Sequence, residues 1–310
     1  METFTETLRL APSICLQASA EKFRLRHLPP WEAASCADHL LAAGESDTTR
    51  QLMAGAVYAG LPRRSAEENS RIEPASEPKP TLLRYIHSLA DSYQTTHATP
   101  PTMRRVAERL AARGQHLAAM HCLHVAEDES GHDTLALMDI QALGLPAQEF
   151  VARVRPQSAH ALVDLFARLA DSSEPIAVLG YAYALERMSL LATEVSIAAI
   201  EALLPAGINA TRCLRVHSAA GSDAGHVAES IVLIATLPPQ DRAAIARAVY
   251  ETVRLQTHAP NDYPGDAAMG ALLDEFGWVN IETAYASILT SHAQDLALVA
   301  LSSPRRSVPT

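Results

Sequence analysis

The 310-residue sequence predicts an all-α protein in which one helical bundle carries an additional N-terminal helical segment. Three observations lead to this prediction. Alanine and leucine dominate a chain with 48% hydrophobic but 5% aromatic residues, a composition that favours helices over sheets. Apolar residues recur at helical spacing through most of the chain. Prolines and glycines divide these segments at intervals typical of helices joined by short turns.

The first 80 residues are predicted to form an N-terminal helical extension and a linker. Residues 1–28 have no strong period and are expected to form a loose arm or a short helix. Helices are predicted at 31–43 and 47–61, and the stretch 62–80, rich in Arg, Ser, Glu and Pro, indicates a linker or surface loop. Two roles stay open for this segment, an extra cover for the bundle or the contact of a homodimer.

Residues 81–301 are predicted to form the bundle, and residues 302–310 a disordered tail. Pro100 and Pro101 are expected to separate a helix at 81–96 from one at 102–113. Further helices are predicted at 115–133, 135–143, 147–154, 157–170, 175–204, 214–230, 239–258, 267–276 and 281–301.

Charge, cysteine usage and hydropathy exclude several classes of partner. Lys and Arg total 25 against 35 Asp and Glu, a net charge of -10 without a basic stripe, so no nucleic acid is expected. The apolar runs are too short to span a bilayer, and no secretory signal is present, so no membrane partner is expected. The scattered cysteines indicate reduced core residues of a cytoplasmic protein. They are Cys15, Cys36, Cys122 and Cys213.

The predicted helix at 115–133 carries the densest group of ionisable side chains. Glu129 lies three residues before His132 and Asp128 lies four before it. One helix face therefore carries His121, Asp128 and His132, with His124 and Glu129 at its flanks. The pattern is also typical of a solvated polar face on a helix whose other side packs inward. The inward residues would then be Leu117, Met120 and Leu123.

A single carboxylate, Glu186, stands in an apolar segment. Its burial would be costly unless it met a cation, a metal or hydrogen-bond donors. An ion pair with Arg187 or a position on the surface is the alternative.

The segment 214–230 places Asp223 and His226 three residues apart on one helix face. His217 lies nine residues before His226 and points away from that face of a regular helix. An irregular turn at Gly221 and Ser222 would bring His217 to the same side. Without such a turn, His217 does not belong to the cluster, and the other two residues could also form a simple surface pair.

Considered together, the three segments supply a set of carboxylate and imidazole ligands that project into a helical bundle. Such mixed oxygen and nitrogen ligands are typical of iron or manganese pairs. Zinc is a poorer match because no cysteine stands among the ligands.

The ordered motifs resemble those of the haem-oxygenase-like diiron oxidases and oxygenases. The matching stretches, within about 81–258, are LHVAEDESGHD followed by ALGLP, then LGYAYALE, then VHSAAGSDAGH. The resemblance implies a haem-oxygenase-like bundle that binds two Fe(II) per chain, with dioxygen as co-substrate. The metal ligands and catalytic residues that it implies are Glu129, His132, Glu186, Asp223 and His226.

This chain departs from the family pattern at one ligand. The family's first histidine of the last motif falls at Ala219, so His217 is the remaining candidate for that ligand. The family often adds a carboxylate from the first core helix, where Asp91, His87 and His97 are the candidates.

The function that the resemblance implies is oxidation of a small amino-acid-like substrate in natural-product biosynthesis. The reaction would be N-oxygenation, desaturation or oxidative C–C cleavage, supported by an external reductant, and Arg187 or Arg215 could pair with a substrate carboxylate. Two alternatives stay open. One is a metal-independent thiaminase-like or quinone-cofactor-synthesis-like enzyme on the same fold, and the other is a non-enzymatic helical binding module.

Overall fold

The computed structural model describes residues 4–62, 80–219, 221–258 and 262–278. The predicted helix at 281–301, the predicted tail at 302–310 and most of the predicted linker at 62–80 lie outside the described residues.

Helices dominate the described chain, which confirms the prediction of a mainly helical fold. No helix of the described chain combines the length and the apolar character needed to cross a membrane. The helices are α1 (Ser46–Gly60), α2 (Leu82–Ala111), α3 (His116–Asp128), α4 (His132–Ala142), α5 (Ala147–Arg153), α6 (Gln157–Asp171), α7 (Val178–Ser189), α8 (Glu194–Glu201), α9 (Arg212–Val216), α10 (Asp223–Thr236), α11 (Pro239–His258) and α12 (Asp266–Glu275). Short 3-10 turns cover Pro30–Ser35 and Pro175–Ala177.

The N-terminal segment contains a three-stranded antiparallel sheet, so the expectation of a loose arm or short helix at 1–28 was wrong. The strands β1 (Glu6–Ala11), β2 (Ile14–Ala18) and β3 (Phe23–His27) pair in the order β1-β2-β3. In β1 the buried residues Leu8 and Leu10 alternate with more exposed neighbours. This period of two over five or six residues is the signal of a half-buried strand.

The sheet packs on the bundle and shares its hydrophobic core. Leu8 and Leu16 lie in one buried cluster with residues of α1, α2, α7 and α11. At the contact of β2 with α1, a Cβ added to Gly55 would lie 2.4 Å from Leu16 Cδ1, so a larger residue would require the Leu16 side chain to move. The described N-terminal residues therefore cover one side of the bundle.

A disulfide between Cys15 and Cys36 ties the chain after β3 back onto β2. The predicted helix at 31–43 was wrong, because only the turn Pro30–Ser35 forms there. The prediction of four reduced cysteines was also wrong, since it holds for Cys122 and Cys213 alone. Cysteine usage therefore no longer supports a cytoplasmic location.

Helix α2 runs without a break through Pro100 and Pro101, contrary to the predicted separation. The hydroxyls of Thr95, Thr96 and Thr99 donate to carbonyls one turn earlier, near the place where the prolines lack N–H groups. Both halves of the helix pack against neighbouring helices, among them α3, α4 and α6. Tertiary packing outweighs the local cost of the two prolines.

Helix α3 buries a different face from the one predicted. Leu117, Met120 and Leu123 are exposed, whereas Ala118 and Cys122 are among its buried residues. Because α3 lies along α2, small side chains are needed at the contact and the larger ones turn outward. The inward face proposed from residue size was therefore wrong.

Three predicted long helices are interrupted. The segment 115–133 breaks between α3 and α4, where Gly131 has a φ of 94°. The segment 175–204 divides into α7 and α8, and 214–230 divides into α9 and α10. Helix α11, by contrast, has the predicted bounds. The breaks place ionisable residues at helix ends.

A fully buried ion pair joins the sheet to the bundle. Arg242 Nη1 of α11 donates to Glu6 Oε1 of β1 at 2.6 Å, and both side chains have 0% exposure. The same carboxylate oxygen accepts from Leu41 N at 3.1 Å, and Arg242 Nη2 donates to Leu41 O. This network connects β1, the segment after β3 and α11.

We expect Glu6→Gln to lower the free energy of unfolding by about 3–5 kcal/mol, because it leaves the Arg242 guanidinium buried without a counter-charge. Chemical denaturation measures this change. The control is Asp38→Asn, which breaks the partly exposed pair of Asp38 with Arg247 and should cost less than about 1 kcal/mol. An equal loss of unfolding free energy in the two variants would contradict a larger stabilising effect of the buried pair.

Candidate metal centre

The breaks between helices bring the six predicted ligand residues together. Glu129 and His132 flank the turn between α3 and α4, and Glu186 lies in the last turn of α7. His217 directly follows α9, Asp223 begins α10, and His226 lies one turn further along α10. Five helix ends or terminal turns therefore meet at one place in the bundle.

One group of possible ligand atoms comprises Glu129, His132 and His217. Their ligand atoms lie within 4.8 Å of one another. Glu129 Oε2 lies 3.0 Å from His132 Nδ1 and 3.9 Å from His217 Nε2. The two imidazole rings meet edge to face with centroids 4.8 Å apart. Two histidines and one carboxylate are the ligand set of many non-haem Fe(II) oxygenases.

A second group shares Glu129 and adds Asp223 and His226, again with ligand atoms within 4.8 Å of one another. Glu186 Oε1 lies 3.5 Å from His226 Nδ1, at the edge of this group. His217 Nδ1 lies 3.5 Å from Asp223 Oδ1 and so connects the two groups. Glu129 belongs to both groups, as a carboxylate shared between two metal ions would.

Several polar atoms of the cluster are buried without a hydrogen-bond partner. They are Glu186 Oε2, His217 Nε2, Asp223 Oδ1 and His226 Nδ1. A buried polar atom left unpaired costs about 1–3 kcal/mol, so native proteins rarely keep several in one place without a ligand. All four are oxygen or nitrogen atoms that can bind a metal, and the donor set therefore fits iron or manganese.

The pKa shifts show that the cluster attracts positive charge. Burial raises the pKa of Glu186 to about 7. The contact with Glu186 raises the pKa of His226 to about 9, with Asp128 adding to the effect against the opposing effect of burial. Burial also opposes protonation of His217, but the carboxylates around it, Asp223 first, raise its pKa nevertheless. Protons on the imidazoles thus balance the buried carboxylates, and a cation could take their place.

Two further residues orient the cluster. Asp128 Oδ2 lies 3.1 Å from His226 Nε2 and leaves Nδ1 as the nitrogen that faces the site. Ser189 Oγ donates to Asp223 Oδ2 and leaves Oδ1 unpaired. Carboxylates behind metal-ligating histidines and hydrogen bonds to ligating carboxylates are common in metal sites.

Helical spacing predicts that Asp128 shares a face with His132, and Ser189 is not among the predicted site residues. Local spacing could not link Asp128 with His226, 98 residues away. Ser189 lies three residues after Glu186 on the same helix, and that spacing is a signal that could have identified it.

We expect Asp128→Ala to weaken metal binding by about 10- to 100-fold, because His226 loses the carboxylate that orients its ring. Titration of the metal-free protein with Fe(II) under anaerobic conditions measures the affinity. The control is Glu127→Ala, which removes the same charge from an exposed position of the same helix. Equal weakening in both variants would show that only net charge matters.

The irregular turn predicted near Gly221 and Ser222 lies between α9 and α10. It is longer than predicted, because it begins at His217, and Ala220 lies outside the described residues. Gly221 N donates to Ser218 O at 3.0 Å. A Cβ added to Gly221 would lie 1.8 Å from Val216 O, so the close turn that presents His217 requires glycine.

We expect Gly221→Ala to lower the free energy of unfolding by about 1–3 kcal/mol and to weaken binding of metal by His217, because the turn must open. The control is Gly225→Ala in α10, where a Cβ would meet no atom within 4 Å. That variant should be neutral or more stable by up to about 1 kcal/mol. Thermal unfolding and Fe(II) titration give the two readouts, and identical behaviour of the variants would contradict this account of the turn.

The candidates on the first core helix do not join either ligand group in the described chain. His97 Nδ1 pairs with Asp133 at 2.7 Å in an exposed position, and the His87 ring packs edge-on against Tyr263. Asp91 accepts a hydrogen bond of 3.0 Å from Ser158 Oγ and lines the same cavity as the ligands.

A cavity of about 290 Å³ opens beside the cluster. Glu129, Glu186, His217 and Asp223 form part of its wall. The rest is mostly apolar, with several hydroxyl groups from α2. Its apolar residues include Leu89, Met103, Val125, Leu162, Phe166 and Leu185.

The two arginines considered for a substrate carboxylate lie outside this cavity. Arg215 pairs with Glu201 at 2.7 Å and with Glu194 at 3.4 Å on the surface. Arg187 is exposed. No lysine or arginine of the described chain lines the cavity.

Comparisons with known proteins give one weak structural likeness. No protein-family model matches the sequence, and no curated protein matches it significantly. A crystal structure from Shewanella denitrificans OS217, described as a domain of unknown function with a heme oxygenase-like fold, aligns with a TM-score of 0.49 and 19% identity. The alignment covers 60% of this chain and 79% of that one. So distant a likeness supports no statement about this chain.

Proposed function

We propose that the protein is a non-haem diiron enzyme that activates dioxygen to oxidise a small substrate. The observation that carries this proposal is the meeting of two three-residue ligand groups at Glu129, beside four buried atoms that have no hydrogen-bond partner. Carboxylate and imidazole ligands inside a helical bundle are typical of diiron proteins.

The residues would divide between two Fe(II) ions. Glu129, His132 and His217 would hold one ion. Glu129, Asp223 and His226 would hold the other, and Glu186 stands beside His226 as a further ligand. When bound, the irons would supply the electron transfer to dioxygen that no side chain of the protein can perform.

The protein's own groups prepare this site. Asp128 holds His226 and Ser189 holds Asp223, so the free atom of each ligand faces inward. The apolar wall beside the cluster excludes bulk water and receives the non-polar part of a substrate. Four further points are proposals that rest on the sequence alone. They are the amino-acid-like substrate, the external reductant, the homodimer and the type of oxidation.

A metal-independent acid–base enzyme is the alternative on the same architecture. Glu186, whose burial raises its pKa to about 7, could serve as a general base or acid. This alternative gives no role to the shared position of Glu129 or to the unpaired atoms of His217 and Asp223.

We expect the metal-free protein to bind two Fe(II) per chain under anaerobic conditions, and exposure to oxygen to produce a transient visible absorption. Glu129→Ala should abolish or strongly weaken binding at both sites, because both groups use this carboxylate. His217→Ala and Asp223→Ala should each reduce the stoichiometry towards one. Metal analysis and anaerobic titration measure these values.

The control for this series is His160→Ala, because His160 is an exposed histidine of α6 away from the cluster. It should keep the full stoichiometry. A wild-type protein that binds no iron and shows no absorption change would refute the diiron proposal. One Fe(II) per wild-type chain would instead indicate a mononuclear centre.

A further inference from the structure

The cavity beside the metal ligands has a second polar site on α2 and α7, formed by Asp91 and Tyr181. Both residues line the cavity. Tyr181 has 1% exposure, and its hydroxyl group has no hydrogen-bond partner in the described chain. Its ring stacks on Phe166 with centroids 4.3 Å apart, which holds the phenol in place. A buried, fixed and unpaired hydroxyl on a cavity wall indicates a ligand.

The Asp91 carboxylate shares its hydrogen-bond donor with a second carboxylate. Ser158 Oγ lies 3.0 Å from Asp91 Oδ1 and 3.0 Å from Asp262 Oδ2, so two carboxylates share one hydroxyl proton. In the described chain the groups that act on the Asp91 charge are Ser158 and Asp262, and neither is a cation. Burial raises the pKa of Asp91, and the Ser158 hydrogen bond lowers it in part. A cation bound here would supply the missing counter-charge.

Asp91 and Tyr181 belong to the wall of the same cavity. Burial raises the pKa of Tyr181, and Asp91 is close enough for its charge to raise it further. On α7, Tyr181 precedes Glu186 by five residues and Ser189 by eight. At the helical rise these separations are about 7.5 and 12 Å along the axis. Tyr181 therefore lies between one and two helical turns from Glu186 along α7.

The charges of the cavity wall exclude an anionic group beside Asp91. The wall carries four carboxylates, those of Asp91, Glu129, Glu186 and Asp223. In the described chain it carries no lysine or arginine, and its one imidazole is that of His217 in the candidate metal centre. A substrate carboxylate near Asp91 would meet repulsion and no cationic partner. A protonated amine would find Asp91 and the Tyr181 hydroxyl oxygen as acceptors, with apolar walls for its carbon chain.

We propose that the cavity binds a primary alkylamine, with its ammonium group on Asp91 and Tyr181 and its carbon chain directed towards the metal ligands. This substrate class rests on the proposed function only in assigning the cavity to the substrate. In this orientation the carbon chain of the substrate, and not its amine nitrogen, lies beside the metal-binding residues. It therefore differs from a site that recognises an amino acid or a fatty acid by its carboxylate.

The test compares ligands of equal length that differ only in the head group: n-hexylamine, n-hexanol and hexanoate. Calorimetric titration of the full-length protein, both metal-free and loaded with Fe(II) without oxygen, should show tightest binding for the amine. Loading with iron fills the carboxylates of the metal centre and leaves Asp91 as the cavity's free acid. Binding of hexanol or hexanoate as tight as that of the amine would overturn the proposal.

Two variants identify where the amine binds. Asp91→Asn keeps the acceptor for Ser158 and should weaken hexylamine binding by about thirtyfold, with little effect on hexanol. Tyr181→Phe should weaken it by about tenfold. The charge-matched control is Asp171→Asn, an exposed acid paired with Arg105, which should change nothing. An amine preference that survives both cavity variants would refute this assignment.

Iron binding, measured on the same samples, separates the two proposals. Both cavity variants should keep the wild-type iron stoichiometry, because neither residue belongs to a ligand group. A protein that binds iron but shows no amine preference would contradict the alkylamine alone. A protein that binds the amine through Asp91 but no iron would contradict the diiron proposal alone.

Discussion

The central constraint on this structure is the burial of carboxylates inside an apolar helical bundle. Glu129, Glu186 and Asp223 are all nearly inaccessible, and burial of an ionised carboxylate is costly unless positive charge compensates it. Two nearby histidines, His217 and His226, have raised pKa values and supply part of that charge. The several unpaired atoms show that protons alone do not complete the arrangement. The donor set fits metal ions, and a pair of them is the ligand that we propose for it.

The irregular backbone follows from the same constraint. Continuous helices would spread these residues around their axes, whereas the breaks at Gly131 and Gly221 turn helix ends towards one another. The surrounding elements stabilise those breaks. Helix α2 stays continuous through its prolines and forms one wall of the cavity, while the Glu6–Arg242 pair anchors the N-terminal sheet on α11. Rigid helices thus support a site made of irregular turns, as is common in functional sites.

The cavity combines two sets of polar residues with a mostly apolar wall. The first set holds the carboxylates and imidazoles of the candidate metal centre, and the second holds Asp91 with the unpaired Tyr181 hydroxyl. The distance along α7 between Tyr181 and Glu186 would determine how a substrate of limited length lies in the cavity. The sequence offered Arg187 and Arg215 as partners for a substrate carboxylate. Because both lie outside the cavity, that role has no structural support.

The sequence by itself determined the helical class and the segments that carry the ligands, because helical periodicity and ionisable residues in apolar stretches are local signals. The N-terminal strands were not predicted because strands of five or six residues give only a weak period of two. The Cys15–Cys36 disulfide was not predicted either, because Cys15 lies in that sheet. Only the tertiary structure decided which face α3 buries, how His217 reaches the cluster, and that Asp128 pairs with His226. Those outcomes depend on contacts between residues distant in the chain, which spacing within one helix does not encode.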